Sequence, residues 1–125
     1  MIVGVGTDIV RVARMEANLQ RHGERFARRV LSPEELEEFR NTTRGAQFLA
    51  KRFAAKEAAV KAMGRGFTEG LTLREIATAH DRRGRPELTC RGRAAELLEQ
   101  LGVTTSYLSV ADEEDYAIAF VVLWC

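Results

Sequence analysis

The segment Arg52-Phe53-Ala54-Ala55-Lys56-Glu57-Ala58-Ala59-Val60-Lys61-Ala62-Met63-Gly64 sets a single acid among several bases on a run of strong helix formers. On a helical wheel Leu49, Phe53, Val60 and Met63 form a bulky stripe. Ala54, Ala55, Ala58 and Ala62 form a second, small-residue face, so little of the circumference is left for water. Lys51, Arg52, Lys56, Lys61 and Arg65 crowd around Glu57, and charges on a packed helix are costly unless they meet partners. A phosphate-rich small molecule is one such partner, with Arg52 and Lys56 as candidate clamps for its phosphates. The alternative is an exposed Glu57–Lys61 pair, four residues apart, with Lys56 snorkelling to solvent.

A second carboxylate sharpens the chemistry. Met1-Ile2-Val3-Gly4-Val5-Gly6-Thr7-Asp8 reads as an apolar strand ending on Asp8, itself followed by Ile9 and Val10. Asp8 is then either the N-cap of the next helix or half of a hard-cation site. Asp8 and Glu57 together suit magnesium, which is usually held by one or two carboxylates with phosphate oxygens and waters around it. Zinc is not indicated, because Cys90, Cys125, His22 and His80 are scattered. Gly4-Val5-Gly6-Thr7-Asp8-Ile9 lacks the third glycine of a dinucleotide loop, and no Walker loop is present.

These groups need a scaffold. The long helix ends at Gly64, a left-handed cap position. From Val12, apolar residues recur through Met15, Leu19, His22, Phe26 and Val30, which predicts one amphipathic helix or two in line. Arg14, Arg21, Arg25 and Arg28 follow spacings of seven, four and three on its outer faces, flanked by Arg11 and Arg29. Against a net charge of +1 for the chain, that is a local basic face suited to an acidic protein partner or left simply solvated. Ser32-Pro33-Glu34-Glu35 is a capped helix start, and Gly66 and Gly70 mark a loop over 65–72, read as a mobile lid or a plain connection. Strand character from Leu73 to His80, a turn at Arg82–Pro86, a helix through Ala94–Leu101 and strands at about 104–110 and 116–124 complete the pattern. The last strand is apolar on both faces, as a central or interface strand is. The class expected is α+β, an antiparallel sheet packed against a long helix, in one domain over residues 1–125.

Two cysteines make no disulfide framework, and the N-terminal apolar run is broken by glycines and Asp8, so neither a signal peptide nor a membrane span is expected and the cytoplasm is the natural compartment. A small nucleic-acid-binding module using the arginine helix is the rival reading. It lacks aromatic interleaving, Phe26 being the one aromatic near the arginines.

Gly6-Thr7-Asp8-Ile9-Val10, Arg52-Phe53-Ala54-Ala55-Lys56-Glu57-Ala58 with Lys61 and Gly64, Gly84-Arg85-Pro86, and Leu108-Ser109-Val110 with Tyr116-Ala117 resemble the holo-[acyl-carrier-protein] synthases, end to end. The resemblance implies the 4′-phosphopantetheinyl transferase fold and a homotrimer with sites between subunits. It also implies transfer of 4′-phosphopantetheine from coenzyme A to a serine of apo acyl carrier protein, in fatty acid biosynthesis, releasing adenosine 3′,5′-bisphosphate. On the same ground Asp8 and Glu57 bind magnesium, Lys61 lies by the pyrophosphate, Gly64 belongs to the coenzyme A site, and Arg14, Arg21 and Arg25 dock the carrier. One position departs from the pattern: where many relatives have histidine, counting back from Tyr116-Ala117 reaches Asp112, within an acidic turn, so the serine's proton acceptor stays open.

Overall fold

The closing apolar run is a strand, Tyr116–Trp124 (β5), whose side chains alternate between two unlike environments. Ala117, Ala119, Val121 and Leu123 are buried, while Tyr116, Ile118, Phe120 and Trp124 stand exposed. It is the middle strand of an antiparallel sheet ordered β1-β5-β4, with β1 at Ile2–Arg11 and β4 at Thr105–Asp112. The computed structural model describes residues 1–67 and 70–125 of the chain. Between β1 and β4 run α1 (Val12–His22), α2 (Glu24–Val30), α3 (Pro33–Arg40), α4 (Gly45–Ala62), a separate antiparallel pair β2 (Ile76–His80) and β3 (Pro86–Cys90), and α5 (Gly92–Gln100). The α+β class is as expected. A second, two-stranded sheet is an addition to it.

The 18-residue α4 packs its alanine face on β1 and β5. Both partners are thinned to allow this. A methyl at Gly4 would overlap the Ala62 carbonyl, and one at Gly6 would overlap the Ala58 carbonyl. Helix and strand therefore approach closely because Gly4 and Gly6 face Ala62 and Ala58. Gly6→Ala is expected to cost about 2–3 kcal/mol, the overpacking range, since the obstruction is helix backbone that cannot rotate away. A thermal melt within 2 °C of the parent, taking about 3 °C per kcal/mol, would contradict this packing.

Local signals fix the remaining ends. Gly64 has φ of 71° and closes α4 as a Schellman turn, with Arg65 N bonded to Val60 O at 3.3 Å and Gly64 N to Lys61 O at 3.0 Å. Ser32 and Glu35 form the reciprocal cap at the start of α3. The arginine-bearing segment is two helices, because Gly23 at φ 59° interrupts it. The first strand overruns its expected end. It stays paired with β5 to Arg11, opposite Tyr116, and Arg11 rather than Asp8 occupies the N-cap position of α1. Asp8 is thus a mid-strand residue. Cys90 and Cys125 are free, and burial pushes the Cys90 thiol up to about 11. Among the described residues no helix is long and apolar enough to cross a membrane. The expectation of a mobile loop over 65–72 falls partly on residues outside those described.

Candidate functional site

Alternation along β1 sends Gly4, Gly6, Asp8 and Val10 to the α4 side of the sheet. Gly4 meets Ala62 and Gly6 meets Ala58, so the next inward residue, Asp8, comes level with the turn of α4 that carries Glu57. Two residues far apart in sequence are brought together by that one strand-on-helix contact. Their charges register it: burial first, and then the Asp8 charge, hold the Glu57 carboxyl above its ordinary range, with Lys61 and Arg14 opposing.

Lys61 lies one turn further along α4. Its ammonium bonds Asp8 Oδ1 at 2.9 Å and the Thr7 carbonyl at 3.0 Å. The alternative of an exposed Glu57–Lys61 pair gives way to a reach across to the strand. The Asp8 side chain is 17% exposed and Lys61 54%, so the pair sits at the rim of the helix–strand seam with one side open. Two carboxylates with a cation already drawn to one of them form a hard, oxygen-rich anionic locus. This donor set fits magnesium and offers nothing to a soft metal. Among the described residues no group of three or more His, Cys, Asp or Glu side chains is placed to hold a metal.

Arg14, near the start of α1, adjoins the same place. Its guanidinium lies 5.2 Å from the Phe53 ring centroid, and its charge partly offsets the rise that burial and Asp8 impose on the Glu57 pKa. Arg21 and Arg25 are exposed further along α1 and α2, and His22 is exposed as well. Gly64 is exposed at the C-terminal end of α4, with open space where a side chain would be.

Lys56 and Arg52 do not join this group, which corrects the expectation that they clamp phosphates. Lys56 is 1% exposed. Its ammonium bonds Glu35 Oε1 at 2.6 Å, the Leu73 carbonyl at 3.1 Å and the Ile76 carbonyl. Three acceptors exhaust the three protons of an ammonium, so nothing remains for a ligand or for solvent. Arg52 is also buried, 4.5 Å from the Phe48 ring centroid and paired with Glu38 at 3.6 Å and Glu35 at 3.8 Å. Both charges point into the scaffold because Glu35 lies beneath them, held by the Ser32 and Thr78 amides. The sequence signal for Glu35 was its capping box, which accounts for one backbone partner and conceals the buried charge.

Asp112 ends β4 beside the exposed turn at 113–115. With Ile9, Tyr116 and Ile118 it borders a shallow apolar cleft of about 320 Å³ on the outer face of the sheet.

Residues 4–121 match the model of the 4′-phosphopantetheinyl transferase superfamily, and the chain belongs to that family. Within it, the chain is 57% identical to the holo-[acyl-carrier-protein] synthase of Halorhodospira halophila over 123 residues, covering 98% of each. It superposes on the crystal structure of the Neisseria meningitidis holo-[acyl-carrier-protein] synthase with a TM-score of 0.92 at 44% identity, over 100% of both chains. The Helicobacter pylori holo-[acyl-carrier-protein] synthase, solved in complex with coenzyme A, gives a TM-score of 0.83 at 28% identity, over 96% of this chain and 99% of that one.

Proposed function

We propose that this chain is a holo-[acyl-carrier-protein] synthase, acting as one domain in the cytoplasm. It transfers 4′-phosphopantetheine from coenzyme A to a serine of apo acyl carrier protein in fatty acid biosynthesis, giving holo carrier and adenosine 3′,5′-bisphosphate. The observation that carries the reading is the meeting of Asp8, Glu57 and Lys61 at one open seam. The comparisons lend no support to the nucleic-acid-binding alternative.

The serine oxygen must attack the β-phosphorus of a dianionic diphosphate while the bond to the bridging oxygen on the adenosine side breaks. Asp8 and Glu57 would hold magnesium, which when bound neutralises the diphosphate and makes its phosphorus more electrophilic. Raising the Glu57 pKa by burial and by Asp8 leaves that carboxylate poorly satisfied without a cation, which makes the locus receptive to one. Lys61 Nζ, on the exposed side of the seam, is the donor for the leaving phosphate oxygen as negative charge grows there. The exposed backbone at Gly64 continues the same surface toward the rest of coenzyme A.

The exposed outer face of the sheet is the second functional surface. Ile2, Val5, Ile9, Ile118, Phe120 and Trp124 place large apolar side chains in water on adjacent strands, more than a monomer leaves uncovered without reason. A homotrimer formed through this face covers them and brings a neighbour to the Asp112 cleft. Phe120→Asp is expected to yield monomer in sedimentation, and an unchanged oligomer would exclude this face.

Purified protein with coenzyme A, magnesium and apo acyl carrier protein should raise the carrier mass by one phosphopantetheine arm, and chelator should stop the reaction. Arg14→Ala and Arg21→Ala should raise the carrier KM about tenfold, more at low salt than at high, with the coenzyme A KM unchanged. An effect confined to coenzyme A would remove α1 from carrier docking.

A further inference from the structure

Lys56 and Lys61 lie on the same helix and are held on opposite terms. Lys56 is buried, with its three protons given to Glu35, Leu73 and Ile76. The Lys61 side chain is 54% exposed and has two acceptors, Asp8 Oδ1 at 2.9 Å and the Thr7 carbonyl at 3.0 Å. One ammonium proton is left for water, and a flexible four-carbon stem lets the charge move without any change in the helix. An ion pair open to solvent on one side is marginal, so Lys61 can leave Asp8 where Lys56 cannot leave Glu35.

The atoms that Lys61 holds are the kind a metal takes. A carboxylate oxygen and a backbone carbonyl are both ligands of hard cations, and at the seam both are bonded to the ammonium. Asp8 cannot give its full charge to a second cation while Lys61 stays on it, because two like charges on one carboxylate repel. Glu57 is in the reverse position. The Lys61 and Arg14 charges reach it through space, and burial and the Asp8 charge outweigh them both. One carboxylate of the seam is therefore answered by an internal cation that can be displaced, and the other is left wanting one.

We infer that Lys61 is an internal counter-ion: it holds Asp8 until magnesium arrives, yields that carboxylate to the metal, and swings to the diphosphate that accompanies it. This role rests on the transfer reading above and adds to donation at the leaving oxygen. Lys61 weakens the seam for magnesium alone and favours magnesium that comes with an anion able to receive the displaced ammonium. Magnesium and coenzyme A then bind with positive coupling, each raising the affinity for the other by the same factor. Neither the motif around Glu57 nor the spacing of its charges reveals this exchange, because the contact of Lys61 with β1 exists only in the fold.

The test measures magnesium binding by calorimetry, without carrier protein, in the absence and presence of saturating coenzyme A. Lys61→Met is expected to bind magnesium alone about fivefold more tightly than the parent, since an exposed ion pair no longer competes, and to gain less when coenzyme A is added. Lys61→Arg keeps the charge and bonds carboxylates at least as well, so it should bind magnesium alone no more tightly than the parent. Lys51→Met removes a cation from the same helix roughly 15 Å away and should change the affinity less than about twofold. Acylation of Lys61 by an N-hydroxysuccinimide ester, read by peptide mass spectrometry, follows the lysine itself. Magnesium should speed it at least about threefold in the parent by freeing the ammonium, and Asp8→Asn should react fast with or without the metal.

Equal binding of magnesium alone by Lys61→Met and the parent would overturn the inference and leave the transfer reading standing. So would one acylation rate with and without bound metal, or a Lys51→Met protein that gains as much affinity as Lys61→Met. If the parent binds no magnesium even with coenzyme A, the metal locus at Asp8 and Glu57 fails together with the inference.

Discussion

Asp8→Ala and Glu57→Ala are each expected to lower turnover by at least ~10²-fold, with the fold retained, because each removes a direct charge support for the cation that the diphosphate needs. The two variants should differ in how they fail. Asp8→Ala also releases Lys61, whose ammonium is 2.9 Å from Asp8 Oδ1, so both the metal locus and the rest position of the lysine are lost. Glu57→Ala leaves the Lys61–Asp8 pair standing. A saturating excess of magnesium should therefore recover more activity in Glu57→Ala than in Asp8→Ala. Wild-type turnover in either variant would separate the carboxylates from the chemistry and remove the basis of the proposed reaction.

Glu57→Gln isolates electrostatics from shape. In the metal-free protein, burial and the Asp8 charge raise the Glu57 pKa, so the ionised form is disfavoured in the folded state. A carboxyl raised on folding supports stability below its unfolded pKa, and this support is lost as pH rises through the folded value. At neutral pH the wild-type chain carries that cost and Glu57→Gln does not. The variant should melt no lower than wild type at pH 7 and lose any advantage when both are compared near pH 4, while turnover falls as for Glu57→Ala. Magnesium should raise the melting temperature of wild type and not that of the variant. A Glu57→Gln protein that melts well below wild type at neutral pH would show that the carboxylate serves the fold.

The strand–helix pairing that makes the site was legible in its parts. Gly4, Gly6 and Asp8 lie two apart on one strand, and Glu57, Ala58, Lys61 and Ala62 lie on one border of a helix, which is what periods of 2.0 and 3.6 predict. The sequence is silent on the register between them, which the fit of Gly6 on Ala58 sets, and that register sends Lys61 to Asp8 instead of Glu57. Lys56 and Arg52 were misplaced for a related reason. A basic residue on a packed helix needs an anion, and a ligand was the partner visible locally, whereas the partner in the fold is Glu35 on another helix. Asp8 read as a strand end because the residues after it, Ile9 to Arg11, look like a helix approach. Pairing with β5, a tertiary effect, extends the strand.

Lys56→Met is expected to be the most destabilising single substitution among those considered, by about 3–5 kcal/mol, because removing Lys56 takes from the buried Glu35 carboxylate its one directly hydrogen-bonded counter-ion. Glu35 would keep the Ser32 amide at 3.0 Å and the Thr78 amide at 2.9 Å but lose its hydrogen-bonded cation, leaving only the Arg52 guanidinium at 3.8 Å, and the Leu73 and Ile76 carbonyls would lose a donor. Those carbonyls flank the entry into β2, so the damage should appear first there, as faster amide exchange around 73–78. Neutralising the partner as well relieves the uncompensated charge. In Lys56→Met/Glu35→Gln the amide oxygen can still accept from Ser32 and Thr78, and the double variant should be more stable than Lys56→Met despite carrying one more change. The same pair decides between scaffold and clamp. A scaffold role predicts that Lys56→Met, assayed well below its melting temperature, keeps a coenzyme A KM within about threefold of the parent, whereas removing a phosphate contact costs more, a charge-assisted hydrogen bond contributing about 1.5–3 kcal/mol. A Lys56→Met protein as stable as wild type but unable to bind coenzyme A would return Lys56 to the nucleotide site.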